Sequence, residues 1–264
     1  MLPGAEEKLM ENGTGGLCRT RKMEALARMT ASLSHDLNNI LGAIEGYATL
    51  LLNAMPKDDP SRPDIEEIHK AERRAADIIR KLMLFSRGGA GRRTEVDMRD
   101  ILAGLAKKAR AFLAPDIAVE ISCQEGLAPA QADPALLEQA LLNLVMNAGE
   151  AMPAGGLLRM SAADAPDGAG ASCPRPAERP SGFLRVSISD NGCGMTPEIM
   201  DRLFEPFFTT KPKGKGTGMG LSVAYGIVNR HNGWTEVSSE PGKGSVFTVY
   251  LPKSAGVASG PDRK

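Results

Sequence analysis

Leu33-Ser34-His35-Asp36-Leu37-Asn38-Asn39-Ile40 places a histidine and a carboxylate side by side within a periodic apolar stretch. Leu26, Met29, Leu33, Leu37, Ile40, Ile44, Tyr47 and Leu51 recur at intervals of three and four, the seam of an amphipathic helix packed in a bundle. At about 100° per residue, His35 points away from that seam. The pattern predicts an imidazole on the wet face of a rigid helix, with Asp36 beside it, placed to react with something that docks from outside. A lone surface histidine is more often merely solvated, and what changes the reading lies downstream.

The neighbouring sequence completes a hairpin. Met55-Pro56-Lys57-Asp58-Asp59-Pro60-Ser61-Arg62-Pro63 cannot continue a helix and predicts a turn. A second periodic stretch follows at Ile65, Ile68, Glu72, Ala75, Ile78, Ile79, Leu82 and Phe85. Two such helices leave one apolar stripe that the hairpin cannot bury alone, whereas two copies bury it as a four-helix bundle. A homodimer through residues 21–87 is therefore expected. Residues 1–20 are Gly-rich and aperiodic and predict a mobile arm. Residues 88–93, within Arg87-Gly88-Gly89-Ala90-Gly91-Arg92-Arg93, predict a linker.

From 94 to 253 the pattern becomes mixed, with a tail over 254–264. Asp97–Leu113 predicts a helix and Ile117–Ile121 a strand. Asp133-Pro134 opens the next helix as N-cap and N1 proline. Strands are expected near 156–163 and 182–190, with a floppy hairpin loop, rich in Ala, Pro and Gly, over 164–181. A short helix near 196–203, another near 220–231 and two closing strands complete an α/β sandwich with its helices on one sheet face. The fold class is thus α+β.

With 32 basic and 32 acidic residues, no global field favours nucleic acid or an anionic membrane. Cys18, Cys123, Cys173 and Cys193 lack paired metal spacing and read as reduced thiols. Nothing approaches the roughly 20 apolar residues of a membrane span, and the start lacks the pattern of a secretory signal. The expectation is a cytoplasmic chain with neither nucleic-acid nor membrane contact.

Four further segments carry chemistry: Asn143-Leu144-Val145-Met146-Asn147-Ala148-Gly149-Glu150-Ala151, Asp190-Asn191-Gly192-Cys193-Gly194-Met195, Phe204-Glu205-Pro206-Phe207-Phe208-Thr209-Thr210-Lys211, and Gly214-Lys215-Gly216-Thr217-Gly218-Met219-Gly220-Leu221. In this order and spacing, together with His35, they resemble the catalytic core of a two-component sensor histidine kinase over about residues 21–253. The segments containing His35, Phe204 and Gly214 look most like the nitrogen-regulation and hybrid-kinase branch.

The resemblance implies a dimerisation and phosphotransfer hairpin followed by an ATP-binding domain of the gyrase, heat-shock chaperone and histidine-kinase type. It implies autophosphorylation of His35 by ATP with Mg2+, then transfer to an aspartate of a response-regulator receiver domain. An amide oxygen at Asn147 is a neutral hard ligand for Mg2+ bridging nucleotide phosphates, and the family places the ion there, with Glu150 a weaker support. Asn143 stands where the related ATPases carry a water-activating glutamate, and an amide cannot act as a base at neutral pH. Asp190 would accept from the adenine amine, with Gly192 and Gly194 letting backbone approach the base.

Residues 204–219 read as a hinged lid. Gly214, Gly216, Gly218 and Gly220, with Thr217 and Leu221, would turn N–H groups toward phosphate at a helix N-terminus. Lys211, Lys213 and Lys215 add cations there; Lys211 or Lys215 reads as a phosphate contact, the other reading being a merely solvated lid. Gly216 and Gly218 would supply φ freedom for lid movement, and Phe204, Phe207 and Phe208 are expected to be packing anchors that couple the lid to the bundle.

Asp36 would orient the imidazole and take its proton, Asn39 would orient water for dephosphorylating the partner or stand as an exposed amide, and His69 and His231 read as bystanders. Where the family continues with two glycines, this chain has Asn232-Gly233-Trp234, and Trp234 reads as a packing residue at a strand start. No sensor or receiver domain is legible, so the chain reads as a truncated core or a kinase whose input comes from another protein. Net phosphatase activity through Asp36 and Asn39, or a nucleotide-binding scaffold without chemistry, are the competing readings.

Overall fold

The computed structural model describes residues 37, 39–86, 93–166, 182–212 and 217–254. His35 and Asp36, the arm 1–20, the linker apart from Arg93, residues 167–181 and 213–216, and all but Ser254 of the tail lie outside the described residues. The chain divides into two compact units, with the boundary between Arg87 and Gly88.

The first unit is a helical hairpin of α1 (39–54) and α2 (Arg62–Ser86). Its turn is stitched where helix ends leave carbonyls without partners. The Arg62 guanidinium donates to the carbonyls of Leu52 (3.1 Å) and Met55 (3.3 Å) at the end of α1, and Asp59 accepts from the Ser61 N–H at 2.8 Å. Ala48 and Ile79 are buried in the hairpin, and so is Glu72. The seam read on α1 is open: Leu37, Ile40, Ile44, Tyr47 and Leu51 are all exposed, Ile40 at 57% and Tyr47 at 71%.

The second unit carries β1 (Thr94–Val96), α3 (Met98–Phe112), β2 (Ile117–Cys123), β3 (Ala130–Ala132), α4 (Pro134–Glu150), β4 (Gly156–Asp164), β5 (Phe183–Asp190), α5 (Pro197–Arg202), α6 (Gly220–Arg230), β6 (Trp234–Glu240) and β7 (Gly244–Pro252). The five-stranded sheet runs β2-β4-β5-β7-β6, parallel only between β2 and β4. Alternation settles its faces: Leu158, Met160, Leu184, Val186, Ile188, Phe247, Val249 and Leu251 are buried, and they meet the buried faces of α3, α4 and α6.

Caps fix where the helices start. Asp97 accepts from the Arg99 N–H, and Asp133 from the N–H groups of Ala135 and Leu136, with Pro134 following. The β1–β3 ribbon, pairing Thr94 with Ala132 and Val96 with Ala130, is an addition to the sequence reading. It brings the chain leaving the linker against the start of α4. Trp234 does pack at the start of β6, stacked on Tyr250 at 4.5 Å and edge-on to Phe183. Asn232 before it sits at φ 57°, a left-handed conformation asparagine tolerates. A Cβ on Gly233 would stand 2.1 Å from the Tyr250 carbonyl oxygen, so asparagine–glycine serves this turn.

Candidate functional site

A cavity of about 350 Å3 opens between α4, the 193–195 loop, the 208–211 segment and the start of α6. Asn143 and Asn147, one turn apart on α4, both line it and are half-buried, as do Glu150 at the end of that helix and Thr217, Gly218, Gly220 and Leu221 opposite. The N-cap position of α6 is Met219, which makes no side-chain capping bond. The first N–H groups of an eleven-residue helix are thus left without a side-chain cap beside the asparagines, an arrangement that favours anionic oxygens.

Asp190 and Gly192 are not lining residues themselves but adjoin two that are: Asp190 pairs with Ser245 in the sheet, and Gly192 precedes Cys193. Asp190 is 4% exposed. One of its oxygens accepts from the Gly192 N–H at 2.9 Å, and the other, Oδ2, is buried with no hydrogen-bond partner. Burial raises its carboxyl above the ordinary range, against the lowering pull of N–H donors from Gly192 and Ser245. A buried acceptor left over by the protein fits an amine donor from a ligand.

The protein's own packing also needs these glycines. A Cβ on Gly192 would lie 2.4 Å from the Ala151 carbonyl oxygen, and one on Gly194, at φ +65°, 2.0 Å from that of Glu240. The loop they form is clamped on both sides. Cys193 donates to Ala151 at 3.0 Å and accepts from Gly242 at 2.8 Å, while the Met195 N–H donates to Ser239 Oγ at 2.9 Å. Asn191 accepts from the Leu157 N–H at 2.7 Å and ties the end of β5 to β4. These bonds tie the loop to β4, β6 and the end of α4.

The lid segment differs in kind. Phe204 is buried against Tyr225 of α6 at 4.8 Å, so it anchors the lid's entry within this unit. Phe208 lines the cavity with the Arg202 guanidinium 4.3 Å over its ring. Phe207 is 58% exposed at φ +66°. Gly218, at φ +63°, lies so close that a Cβ would meet the Phe207 carbonyl carbon at 2.5 Å. Gly218 therefore packs against the Phe207 backbone, where a side chain would not fit. Lys211 lines the cavity and pairs with Glu150 of α4. Lys213, Lys215, Gly214 and Gly216 lie outside the described residues.

Of the other candidates, Asn39 is exposed on the hairpin. His231 is buried at the joint of two helices. Its Nε2 accepts from the Asp133 N–H at 2.9 Å, and Nδ1 donates to the Ile227 carbonyl at 2.8 Å. His69 and Glu72 lie together within the hairpin, near Glu45.

Comparison with known proteins adds two domain matches. Residues 25–91 match the His Kinase A (phospho-acceptor) domain, and residues 132–255 match the Histidine kinase-, DNA gyrase B-, and HSP90-like ATPase family. The chain is 36% identical over 248 residues to the sensor kinase CckA of Brucella abortus (strain 2308), covering 94% of this chain and 26% of that one. To the sensor histidine kinase ZraS of Klebsiella oxytoca it is 30% identical over 235 residues, covering 89% of this chain and 47% of that one. The chain thus spans less than half the length of these two curated relatives. Among solved structures, full-length ShkA in complex with AMPPNP superposes with a TM-score of 0.62 at 26% identity, over 85% of this chain and 45% of that one. No helix among the described residues is long and apolar enough to cross a membrane.

Proposed function

The chain belongs to the sensor histidine kinases, as a phosphoacceptor hairpin followed by the ATP-binding domain, and on that premise we propose that it phosphorylates His35 from ATP and passes the phosphoryl group to an aspartate of a receiver domain. The observation that carries this reading is one cavity joining the amides of Asn143 and Asn147 to the N-terminus of α6, which has no side-chain cap. Mg2+, when bound, would supply positive charge against the negative charge that develops on the phosphate oxygens. Asn147 would offer its amide oxygen to that ion, and the α6 N–H groups would bind the phosphates. Asp190 Oδ2 would accept from the adenine amine. The Gly192–Gly194 loop would hold the base.

Phosphoryl transfer breaks the bond between the γ-phosphorus and its bridging oxygen and forms a nitrogen–phosphorus bond at His35. Asp36 would hold one imidazole nitrogen and take its proton while the other attacks. Asn143 keeps the reaction from being spent on water, because a neutral amide does not activate a water nucleophile as a glutamate would. The open stripe on α1 supports pairing of two hairpins, which gives the dimer expected of such a kinase.

Labelling with γ-labelled ATP tests the reading. The adduct should be acid-labile and base-stable, as a phosphoramidate is, and His35→Gln should abolish it while leaving ATP affinity nearly unchanged. An adduct of the same lability on the His35→Gln protein would move the acceptor elsewhere, and absence of any adduct on the unaltered chain would remove the kinase reading.

A further inference from the structure

Glu72 interrupts an otherwise apolar helical stripe, and the hairpin buries it to 5% exposure with Oε2 lacking any hydrogen-bond partner. Three residues earlier on the same face of α2, His69 has its Nε2 buried and without a partner. A buried carboxylate oxygen and a buried ring nitrogen left unsatisfied are each costly. Together they call for something that is not part of this chain. Across the hairpin, α1 contributes Glu45, and one ligand atom from each of the three residues lies within 4.8 Å of the others.

We propose that the hairpin binds a divalent transition-metal ion of the Zn2+ class between Glu45 of α1 and His69 and Glu72 of α2. Two carboxylates match the charge of a divalent ion, and a neutral imidazole nitrogen selects a transition metal over Mg2+ or Ca2+, which prefer oxygen alone. Three protein donors leave a further position for water or another ligand, as open zinc sites do. Burial grades from Glu72 (buried) through His69 (half-buried) to Glu45 (exposed), so the cluster opens to solvent on the α1 side and an ion can enter there. None of the three lines the nucleotide cavity. The ion would join α1 to α2 ten residues after His35, stiffening the hairpin that presents the phosphoacceptor.

The test uses the full chain, stripped of metal and free of nucleotide. Titration with Zn2+ should show one ion bound per chain that is lost in Glu45→Gln and in Glu72→Gln. Glu45 is exposed, so its amide variant folds even if Glu72→Gln does not. The bound ion should raise the unfolding midpoint of the hairpin by about 10 °C when it is about 100-fold above its dissociation constant, and Glu45→Gln should lose that rise. Co2+ in the same site should give a spectrum without the charge-transfer band of a thiolate ligand. Equal Zn2+ uptake by the unaltered chain and Glu45→Gln, or a Co2+ spectrum wholly that of thiolate ligation, overturns the proposal. So does an unaltered chain that binds no ion.

Discussion

The hairpin and the ATP-binding domain use the same kinds of side chain to opposite ends. In the domain, Leu137, Leu141 and Leu144 of α4 are within 1% of full burial, closed between sheet and helices. On α1 of the hairpin, Ile40, Tyr47, Leu50 and Leu51 stand open by 47–71%. What the hairpin does bury includes the carboxylate of Glu72. One region carries a finished core, and the other carries half of one. The difference teaches where the proposed dimer would matter: a second copy would complete the hairpin's apolar stripe, whereas the nucleotide cavity is built within a single fold.

The largest effect should come from breaking that incompleteness. Replacing Ile40 and Ile44 by aspartate removes four aliphatic side chains from each prospective dimer. At about 1.5–3 kcal/mol for each one fully buried, even half that burial amounts to roughly 3–6 kcal/mol, or about two to four orders of magnitude in the dissociation constant. Sedimentation should show a monomer at concentrations where the unaltered chain is a dimer, with ADP affinity unmoved. A variant that still sediments as a dimer would mean that α1 is not the pairing face.

The converse change is Leu144→Ala. A fully buried leucine on α4 has no room to relax, so its truncation should cost about 2–5 kcal/mol in the unfolding of the ATP-binding domain. Denaturant unfolding followed through the lone Trp234, which lies in that domain, should register the loss, while the dimer persists. A shift in dimerisation of comparable size would show the two regions to be one cooperative unit.

How much of this was legible in the sequence follows the same division. Periods of three and four gave both hairpin helices, and Asp133-Pro134 gave the start of α4, because caps and seams are local signals. The three-residue strands β1 and β3 are shorter than any readable period, and only their mutual pairing defines them. Glu72 fits the spacing of an apolar stripe, so the pattern placed it correctly without saying what a buried carboxylate does there. Asn143 and Asn147 were visible as an amide pair, and the structure sets them in one cavity. The packing demand on Gly192 and Gly194 was not visible, since it depends on the carbonyls of Ala151 and Glu240, 41 and 46 residues away from them in the chain. His231 looked idle for the same cause: its partner, Asp133, is 98 residues away.

That histidine should give the ATP-binding domain a dependence of stability on pH. Burial, with smaller effects from Arg93 and Arg230, lowers the His231 imidazole below its usual 6.5, against the raising influence of the Ile227 carbonyl and Asp133. The folded domain therefore binds fewer protons than the unfolded chain in the window between the lowered value and 6.5. Stability is fully present above 6.5 and falls as pH drops through that window, by at most about 1.4 kcal/mol per pH unit. Protonation would set an N–H of the ring against the Asp133 N–H that it now accepts, loosening the start of α4. Urea midpoints measured on either side of 6.5 should show this slope, and His231→Gln should flatten it. A slope that survives the substitution would assign the response to another group.

The smallest effect concerns Lys211 and Glu150, and it bears on function more than on stability. The pair links the lid to α4 at the cavity wall, with side chains 33% and 46% exposed. An ion pair so open to water contributes about 0–1 kcal/mol to folding, so Glu150→Gln should leave the unfolding midpoint almost unmoved. With Lys211 as the proposed phosphate contact, phosphate oxygens and the Glu150 carboxylate would be rivals for one ammonium group. Removing the carboxylate's charge should free Lys211 and tighten ATP binding by up to about fivefold, given a pair worth up to about 1 kcal/mol. Added salt should erase the gain, since the competition is between exposed charges. Weaker ATP binding in Glu150→Gln would mean the opposite arrangement, with Glu150 supporting the Mg2+ held at Asn147. Repeating the titration without Mg2+ separates the two: competition for Lys211 persists in its absence, and support of the ion does not.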